Sequence, residues 1–252
     1  MKQPTLRAAE LKQINGLVQH YVDNQQYFIM LLSNLTGFVE ASKKLKTLTH
    51  SVKGRVKDPE HLRAKLIRKG LEAKSKGEVL PYTRENLFQK INDLAGFRIL
   101  HLHTTQIEDI NSELLEVFKE QRWLKLEASA RTWDDESREY FTSIGIATEE
   151  SKTMYTSVHY VVQPNSRSAL TCEIQVRTLM EEVWGEVDHQ INYPVKVNSI
   201  SCREQLKVLA RVTSSCSRLV DSIFLAHQET LQDKAIANVT KKPTREGKKV
   251  PS

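Results

Sequence analysis

The feature that most restricts the fold of this chain is a strict alternation over eight residues, from Leu170 to Arg177. Every second residue is apolar, and the residues between them are polar. The polar positions are Thr171, Glu173, Gln175 and Arg177. A period of two places the two sets on opposite faces of a β-strand. The run therefore predicts a strand with one face in a hydrophobic core and the other face polar.

A second strand is predicted over Tyr155–Gln163, and the Pro164-Asn165-Ser166 segment predicts a turn between the two strands. One side of this second strand presents Tyr155, Ser157 and His159. If the polar faces of the hairpin coincide, an acid, a base, an aromatic ring and an amide share one surface. This pattern is typical of a solvated sheet face as well as of a functional site, and spacing by itself leaves both interpretations open.

Two further strands and several helices complete the predicted architecture. The strands are Phe97–Thr104 and Leu124–Thr132. Helical periodicity covers Thr5–Thr49, Asp58–Lys69, Ile107–Glu120, Thr178–Asn192 (ending before Pro194) and Cys202–His227. Helices around a short mixed sheet define an α+β domain.

The chain divides into four predicted parts. Residues 1–53 form a helical N-terminal extension, 54–198 the core, and 199–232 a C-terminal helix that packs on the core. Residues 233–252 contain six basic residues, two acidic ones and few large apolar groups, so we expect a disordered tail. Most of the net charge of +6 lies in this tail, which leaves a nearly balanced body.

Composition narrows the class of protein and its compartment. Hydrophobic residues make up 39% and charged residues 27%, as in an ordinary globular protein. No apolar run has the length that a membrane span requires, and the N-terminus lacks the apolar region of a secretion signal. Cys172, Cys202 and Cys216 are widely spaced, which favours reduced thiols over a zinc site. We expect a cytoplasmic protein with no membrane partner.

A basic segment precedes the second predicted helix. Arg55 and Lys57 lie just before its N-terminus, where Asp58 is the expected cap and Pro59 the first helical residue. Free backbone N–H groups and the helix dipole favour anions at such an end. His61, Lys65 and Arg68 share one face of the same helix. Polyphosphate binding and a solvated basic face both fit this pattern.

The segment Asn92–Arg98 leads into the first long strand, and it contains an acid followed by Gly96. Asp93 at this place fits a metal ligand near a sheet edge as well as a residue that caps a turn. His101 and His103 also resemble a pair of metal ligands. The sequence offers no third ligand for them, so we interpret them as part of an ordinary, partly exposed strand face.

Four motifs occur in an order that resembles the synthetase domain of RelA/SpoT proteins. They are G-R-V-K before a helix, D-L-A-G-F-R, Y-T-S-V-H, and E-I-Q-V-R-T followed by W-G-E-V-D-H. The resemblance spans about Gly54 to Tyr193. It implies a nucleotidyltransferase-like mixed sheet of about five strands flanked by helices, with helical N- and C-terminal extensions. It also implies transfer of the β,γ-pyrophosphate of ATP to the 3′-hydroxyl of GDP or GTP, with release of AMP.

On the donor side, the resemblance assigns two acids, Asp93 and Glu173, to Mg²⁺ binding and catalysis. Glu173 is also the implied general base for the acceptor hydroxyl. Arg55 and Arg98 match the pair whose planar groups sandwich adenine, a geometry that suits arginine. The implied ligands of the ATP phosphates are Lys57 and Lys65, with His61 on the same helix.

On the acceptor side, the resemblance assigns Tyr155 to stacking on the guanine base. The other implied acceptor ligands are His159, Gln175, Arg177, Asp188 and Arg138. Phosphoryl chemistry of this kind depends on metal, cations and alignment more than on a strong nucleophile.

Departures from the family pattern are concentrated on the acceptor side. Met154 stands where glycine is usual before the tyrosine, and Glu182 and Asp188 stand where asparagine and glutamate are frequent. His61 replaces a usual serine on the donor side. The acceptor is therefore open: free GDP or GTP for a small alarmone synthetase of the stringent response, or the 3′-end of tRNA for a toxic relative. A catalytically dead nucleotide- or RNA-binding module is the alternative of another class, and the intact Asp93 and Glu173 argue against it.

The sequence leaves the oligomeric state open, and a homo-oligomer is compatible with it. The 53 residues before Gly54 are too few for the hydrolase domain of the long family members. We therefore expect synthesis without hydrolysis.

Overall fold

A computed structural model describes residues 5–151, 153–166, 169–192 and 197–240. Within these ranges the helices are α1 (Ala8–Asp23), α2 (Gln25–Ala41), α3 (Lys43–Leu48), α4 (Pro59–Ser75), α5 (Leu87–Lys90), α6 (Gln106–Glu120), α7 (Asp135–Ser143), α8 (Leu179–Asn192) and α9 (Ile200–Thr240). The strands are β1 (Ser51–Val56), β2 (Ala95–His101), β3 (Leu124–Thr132), β4 (Ala147–Glu150), β5 (Ser157–Gln163) and β6 (Cys172–Thr178). A short 3₁₀ turn, Asn92–Leu94, precedes β2.

The described strands form one mixed sheet with the order β1-β2-β6-β5-β3-β4. Strands β2 and β6 are parallel, as are β3 and β4, and the other neighbours are antiparallel. The predicted α+β class and the β5–β6 hairpin are confirmed. The sheet has one strand more than the predicted five.

The sequence pattern does not predict β1 and β4, which are the two edge strands. β1 contains Gly54 between Lys53 and Arg55, and all three are exposed. β4 spans only four residues and is also largely exposed. Short, charged edges are typical of sheets that avoid pairing with other chains. They lack the hydrophobic alternation by which a strand is predicted.

The alternation in β6 has the predicted consequence. Cys172, Ile174 and Val176 are at most 1% exposed and lie in the hydrophobic core. The N-terminal helices contribute to this same core, for example through Tyr21 and Phe28, which are fully buried. The extension therefore packs as an integral layer of the domain.

Helix α4 begins as predicted. The Asp58 side chain accepts hydrogen bonds from the backbone N–H groups of Glu60 (2.9 Å) and His61 (3.1 Å), and Pro59 is the first helical residue. The helix continues to Ser75, six residues beyond the predicted end.

Helix α9 is longer than predicted and runs 41 residues to Thr240. Its inner face packs on α8 through Leu206 and Ala210, which are buried. The helix includes the first residues of the predicted tail, whereas 241–252 lie outside the described residues, as does Pro194. In the described part of the chain, no helix is both long and apolar enough to cross a membrane.

Candidate active site

A cleft of about 390 Å³ lies over the polar face of the sheet, where β1, β2 and β6 run side by side. The strand register explains its composition: Gly96 is opposite both Arg55 and Glu173, and Arg98 is opposite both Lys53 and Gln175. These two rows point to the same face. Residues that line the cleft include Arg55, Asp93, Arg98, Glu173, Gln175, Glu186 and His189.

Asp93 is the centre of the part of this cleft that contains the predicted ATP ligands, called the donor half below. Its two carboxylate oxygens accept hydrogen bonds from Lys57 Nζ (2.9 Å) and Lys65 Nζ (2.8 Å). Burial acts to raise the pKa of Asp93, but the two ammonium groups outweigh it and the net pKa is lowered. Asp93 is therefore ionised at neutral pH, and two cations are held beside it.

The backbone fixes Lys57 in this position. Its N–H donates to the carbonyl of Leu94 (2.9 Å), and its carbonyl accepts from the Tyr21 hydroxyl (2.5 Å). Lys57 is only 6% exposed, so its ammonium group has little freedom to move away from Asp93. A residue of α1 thus supports a cation of the cleft.

Arg55 and Arg98 line the cleft, whereas His61 lies in the first turn of α4 and is not among the lining residues. Arg55 is exposed on β1, whereas the Arg98 guanidinium pairs with Glu182 (3.1 Å) and with Glu186 of α8. Burial lowers the pKa of His189, and the positive charges of Arg55 and Arg98 lower it further against the opposing charge of Glu186.

Glu173 and His159 form a pair between β6 and β5. His159 Nδ1 lies 2.9 Å from Glu173 Oε1, and the histidine is 3% exposed. Burial acts to raise the pKa of Glu173, and the hydrogen bond and charge of His159 outweigh it, so the pKa is lowered. The negative charge of Asp93 acts in the opposite direction, which places the two acids within electrostatic reach of each other.

Tyr155 is held by contacts on several sides. Its hydroxyl donates to Gln175 Oε1 (3.3 Å), and its ring lies against His159 and Trp184 with centroid distances of 5.7 and 6.1 Å. The Arg177 guanidinium lies 5.5 Å from the ring centroid. Arg177 is only 4% exposed and pairs with Glu182, so it supports the tyrosine from inside the protein.

The two remaining predicted acceptor ligands lie elsewhere. Asp188 accepts a hydrogen bond from Asn192 (2.8 Å) and lines a separate groove of about 200 Å³ between α8 and α9. Arg138 is on α7, where it pairs with Asp135 (2.6 Å), and it is not among the residues that line the cleft. Both residues lie on helices, and the direction in which a helical side chain points depends on how the helix packs against the sheet. The spacing of motifs along the sequence does not give this direction.

Helix α8 contributes side chains to the cleft that were not among the predicted site residues. Glu186 and His189 line it, and Glu182 pairs with its basic residues. Their spacing of four and three residues is the signal of one helix face, but only the packing shows that this face points at the sheet.

The interpretation of His101 and His103 as a partly exposed face is wrong, because both are buried at 2% and 7% exposure. His101 Nδ1 lies 3.0 Å from the His103 carbonyl, and burial lowers the pKa of His101 to about 4. No group of three or more His, Cys, Asp or Glu side chains able to hold a metal occurs among the described residues.

Comparisons with known proteins agree with this architecture. Residues 54–198 match the family described as the region found in RelA / SpoT proteins. This match covers more than half of the chain, and the chain belongs to the RelA/SpoT family. No curated protein matches the chain.

Solved structures of small family members share the fold. A GTP pyrophosphokinase family protein from Streptococcus pneumoniae is 20% identical with a TM-score of 0.59, covering 86% of this chain and 95% of that one. Small alarmone synthetase 1 from Bacillus subtilis bound to its product pppGpp is 20% identical with a TM-score of 0.55, covering 81% of this chain and 94% of that one. The same synthetase bound to AMPCPP is 19% identical with a TM-score of 0.53, covering 84% of this chain and 97% of that one. At this identity the likeness shows the fold: that of the small alarmone synthetases.

Proposed function

We propose that this RelA/SpoT-family chain is a GTP pyrophosphokinase-like enzyme that uses ATP to make (p)ppGpp from GDP or GTP. The observation that carries the proposal is the juxtaposition of two ionised acids in one cleft, Asp93 with its two lysines and Glu173 with its histidine. In the reaction, the acceptor 3′-oxygen forms a bond to the β-phosphorus of ATP. The bond from that phosphorus to the α–β bridging oxygen breaks, and AMP leaves.

The donor half supplies the groups that ATP requires. Lys57 and Lys65 are two cations on one side of the cleft, and they can transfer from Asp93 to the phosphate oxygens. Arg55 and Arg98 lie on the same sheet face, so their planar groups can enclose adenine. The N-terminus of α4 lies beside His61 and offers a positive end to the polyphosphate. The B. subtilis synthetase with bound AMPCPP, an ATP analogue, supports an ATP donor.

Mg²⁺ fits the acids of the cleft. Magnesium is commonly held by one or two carboxylates together with substrate phosphates, and Asp93 and Glu173 are two carboxylates within electrostatic reach. When bound with ATP, the ion supplies neutralisation of the charge that develops on the transferred group. Lys57 and Lys65 then remain with the phosphate oxygens.

Glu173 is the proposed general base for the acceptor hydroxyl. Its lowered pKa keeps it ionised at neutral pH, so it can accept the 3′-hydroxyl proton, and His159 orients the carboxylate. Tyr155 is the stacking platform for guanine, with Gln175 beside its hydroxyl and Arg177 beneath its ring. The pppGpp bound to the B. subtilis synthetase supports this class of product.

The 3′-end of tRNA is the second candidate acceptor, and one observation favours it. The groove beside Met154 and Asp188 is also lined by Arg203 and Lys207 of α9. A polynucleotide backbone would need such cations outside the compact cleft. We prefer the free nucleotide because the body of the chain has few spare positive charges.

Parallel reactions with γ-labelled ATP and GDP, GTP or deacylated tRNA test the proposal. We expect label on GDP and GTP and none on tRNA, with Glu173→Gln as the inactive control. Labelled tRNA with unlabelled guanine nucleotides would replace our choice by the second candidate. A protein that binds ATP but labels nothing would support the catalytically dead alternative.

Location and assembly complete the proposal. Cys172, Cys202 and Cys216 are free thiols, which fits a reducing cytoplasm where ATP and GTP are abundant. Cell fractionation tests this, and recovery of the protein in a membrane or secreted fraction would contradict it.

We also propose self-association through the outer face of α9. Four apolar side chains on this face are more than half exposed. They are Val208, Val212, Leu219 and Ile223. If two copies of α9 pair antiparallel about a two-fold axis between Ser215 and Cys216, Val208 lies opposite Ile223 of the other copy and Val212 lies opposite Leu219. Light scattering should show a dimer or larger species that Val212→Glu dissociates, and a monomeric wild-type protein would contradict this.

A further inference from the structure

The carboxylate of Glu182 forms ion pairs with a basic residue on each of three strands, β1, β2 and β6. It lies on α8, is 8% exposed, and accepts from Lys53 of β1 (3.1 Å) and Arg98 of β2 (3.1 Å). It also pairs with Arg177 of β6. Burial acts to raise the pKa of Glu182, but Arg177, Arg98 and Lys53 outweigh it and the net pKa is lowered. The carboxylate is therefore a buried negative charge shared by several cations.

The two arginines depend on Glu182 to different degrees. Arg98 has a second carboxylate, Glu186, one helical turn further along α8. Arg177 has no other carboxylate within ion-pair distance among the residues that the structure describes. An almost fully buried guanidinium without a counter-ion is strongly unfavourable, so Glu182 fixes where Arg177 lies.

Helix α8 also shapes the space for Arg177. A Cβ atom on Gly185 would lie 2.5 Å from Arg177 Nη1, so the absence of a side chain there makes room for the guanidinium. From this position Arg177 lies under the Tyr155 ring. Glu182, Gly185 and Arg177 thus form one support for the proposed acceptor platform.

We propose that Glu182 is a positioning residue that couples the donor and acceptor halves of the cleft. The inference rests on the proposed function, which assigns Arg98 to adenine and Tyr155 to the acceptor base. ATP draws the Arg98 guanidinium onto adenine and leaves the Glu182 charge to Arg177 and Lys53. The ion pair between Glu182 and Arg177 is then stronger, and Arg177 holds the Tyr155 ring more rigidly. Bound ATP therefore raises the affinity for the acceptor.

Three substitutions in one stretch of α8 separate the two contacts. Glu186→Gln removes a partner of Arg98 only, and Gly185→Ala displaces Arg177 only while keeping both acids. Glu182→Gln weakens both contacts. Alanine is also a better helix former than glycine, so Gly185→Ala should not unfold α8.

Calorimetric titration of each variant with AMPCPP and with GDP, singly and together, is the functional test. We expect AMPCPP to raise GDP affinity about fivefold or more in the wild type, and Glu182→Gln to abolish this increase. Glu186→Gln should weaken AMPCPP binding alone, and Gly185→Ala should weaken GDP binding alone. Equal behaviour of Glu182→Gln and Glu186→Gln would overturn the inference.

A measurement without substrates separates failure of this inference from failure of the proposed function. In ¹⁵N NMR spectra, Glu182→Gln should shift the Nε–H resonances of both Arg98 and Arg177, whereas Glu186→Gln should shift only that of Arg98. Glu182→Asp keeps the negative charge, so this variant should fold even if Glu182→Gln does not. It should shift the same two resonances, but by less than Glu182→Gln. An unchanged Arg177 resonance in both Glu182 variants would refute the positioning role. A wild-type protein that transfers nothing would refute the proposed function instead.

Discussion

The proposed donor half of the cleft, around Asp93, and the proposed acceptor half, around Tyr155, are built in different ways. In the donor half, Lys57 and Lys65 point at one carboxylate, and both are on or beside the start of α4. In the acceptor half, Arg177 is buried under Tyr155 and tied to a helix that crosses the sheet. The donor half presents its charges to the cleft, whereas the acceptor half uses its charge to hold an aromatic ring in place.

This difference explains why the family motifs predict the geometry of the donor half better than that of the acceptor half. Four predicted donor residues (Arg55, Lys57, His61 and Lys65) follow one another along a strand, a cap and a helix, so local spacing fixes much of their geometry. Asp93 and Arg98 join them from the neighbouring turn and β2. Acceptor residues come from β5, β6 and α8, and their geometry depends on how those elements pack. Substitutions should therefore act directly on ATP in the donor half and through packing in the acceptor half.

The largest effect is expected at Asp93. Asp93→Asn removes the charge that faces the proposed metal and leaves Lys57 and Lys65 without their carboxylate, so turnover should fall on the order of a hundredfold or more. Asp188→Asn is the matched change outside the cleft, and it should cost less than about tenfold with unchanged ATP affinity. Steady-state kinetics of both variants test the comparison, which equal losses would contradict.

A pH-dependent change in stability is expected from α8, the helix that holds Arg177, and not from Asp93. Burial raises the pKa of Glu181, on the same turn of α8 as Glu182, from 4.5 to about 7. Between these two values only the folded state holds the proton, so stability falls as the pH rises, by about 3 kcal/mol in all. The loss is complete above pH 7, whereas Asp93 keeps its charge throughout because its pKa is lowered.

Denaturant unfolding at several pH values tests this expectation. Glu181→Gln should flatten the decline between pH 4.5 and 7, and exposed Glu120→Gln should leave it unchanged. A decline that persists in Glu181→Gln would assign the titration to another group.

A smaller effect is expected where shape matters more than charge. Arg55→Lys keeps the positive charge and loses the planar group, so ATP binding should weaken by about twofold to about thirtyfold, equivalent to about 0.5–2 kcal/mol. Arg84→Lys, at an exposed arginine that does not line the cleft, is the control. Unchanged ATP affinity in Arg55→Lys would remove Arg55 from the adenine site.

The sequence predicted the inner strands and the acidic and basic residues that these strands bring to the cleft, but not the contribution of α8. The alternation in β6 predicted both the buried face and the polar face, because a period of two is a property of every strand. The edge strand β1 escaped because Lys53, Gly54 and Arg55 have no buried partners to alternate with. The role of Glu182 escaped because the face that α8 turns towards the sheet is decided by tertiary contacts and not by local spacing.

The fate of the ATP phosphates tests the central claim most directly. A reaction of ATP, labelled separately at the β- and γ-phosphates, with GDP should be quenched and resolved by mass spectrometry and ³¹P NMR. We expect one AMP for each nucleotide that gains a 3′-diphosphate, with both labels in that group. Formation of ADP with transfer of the γ-phosphate alone, or AMP with no modified guanine nucleotide, would contradict it.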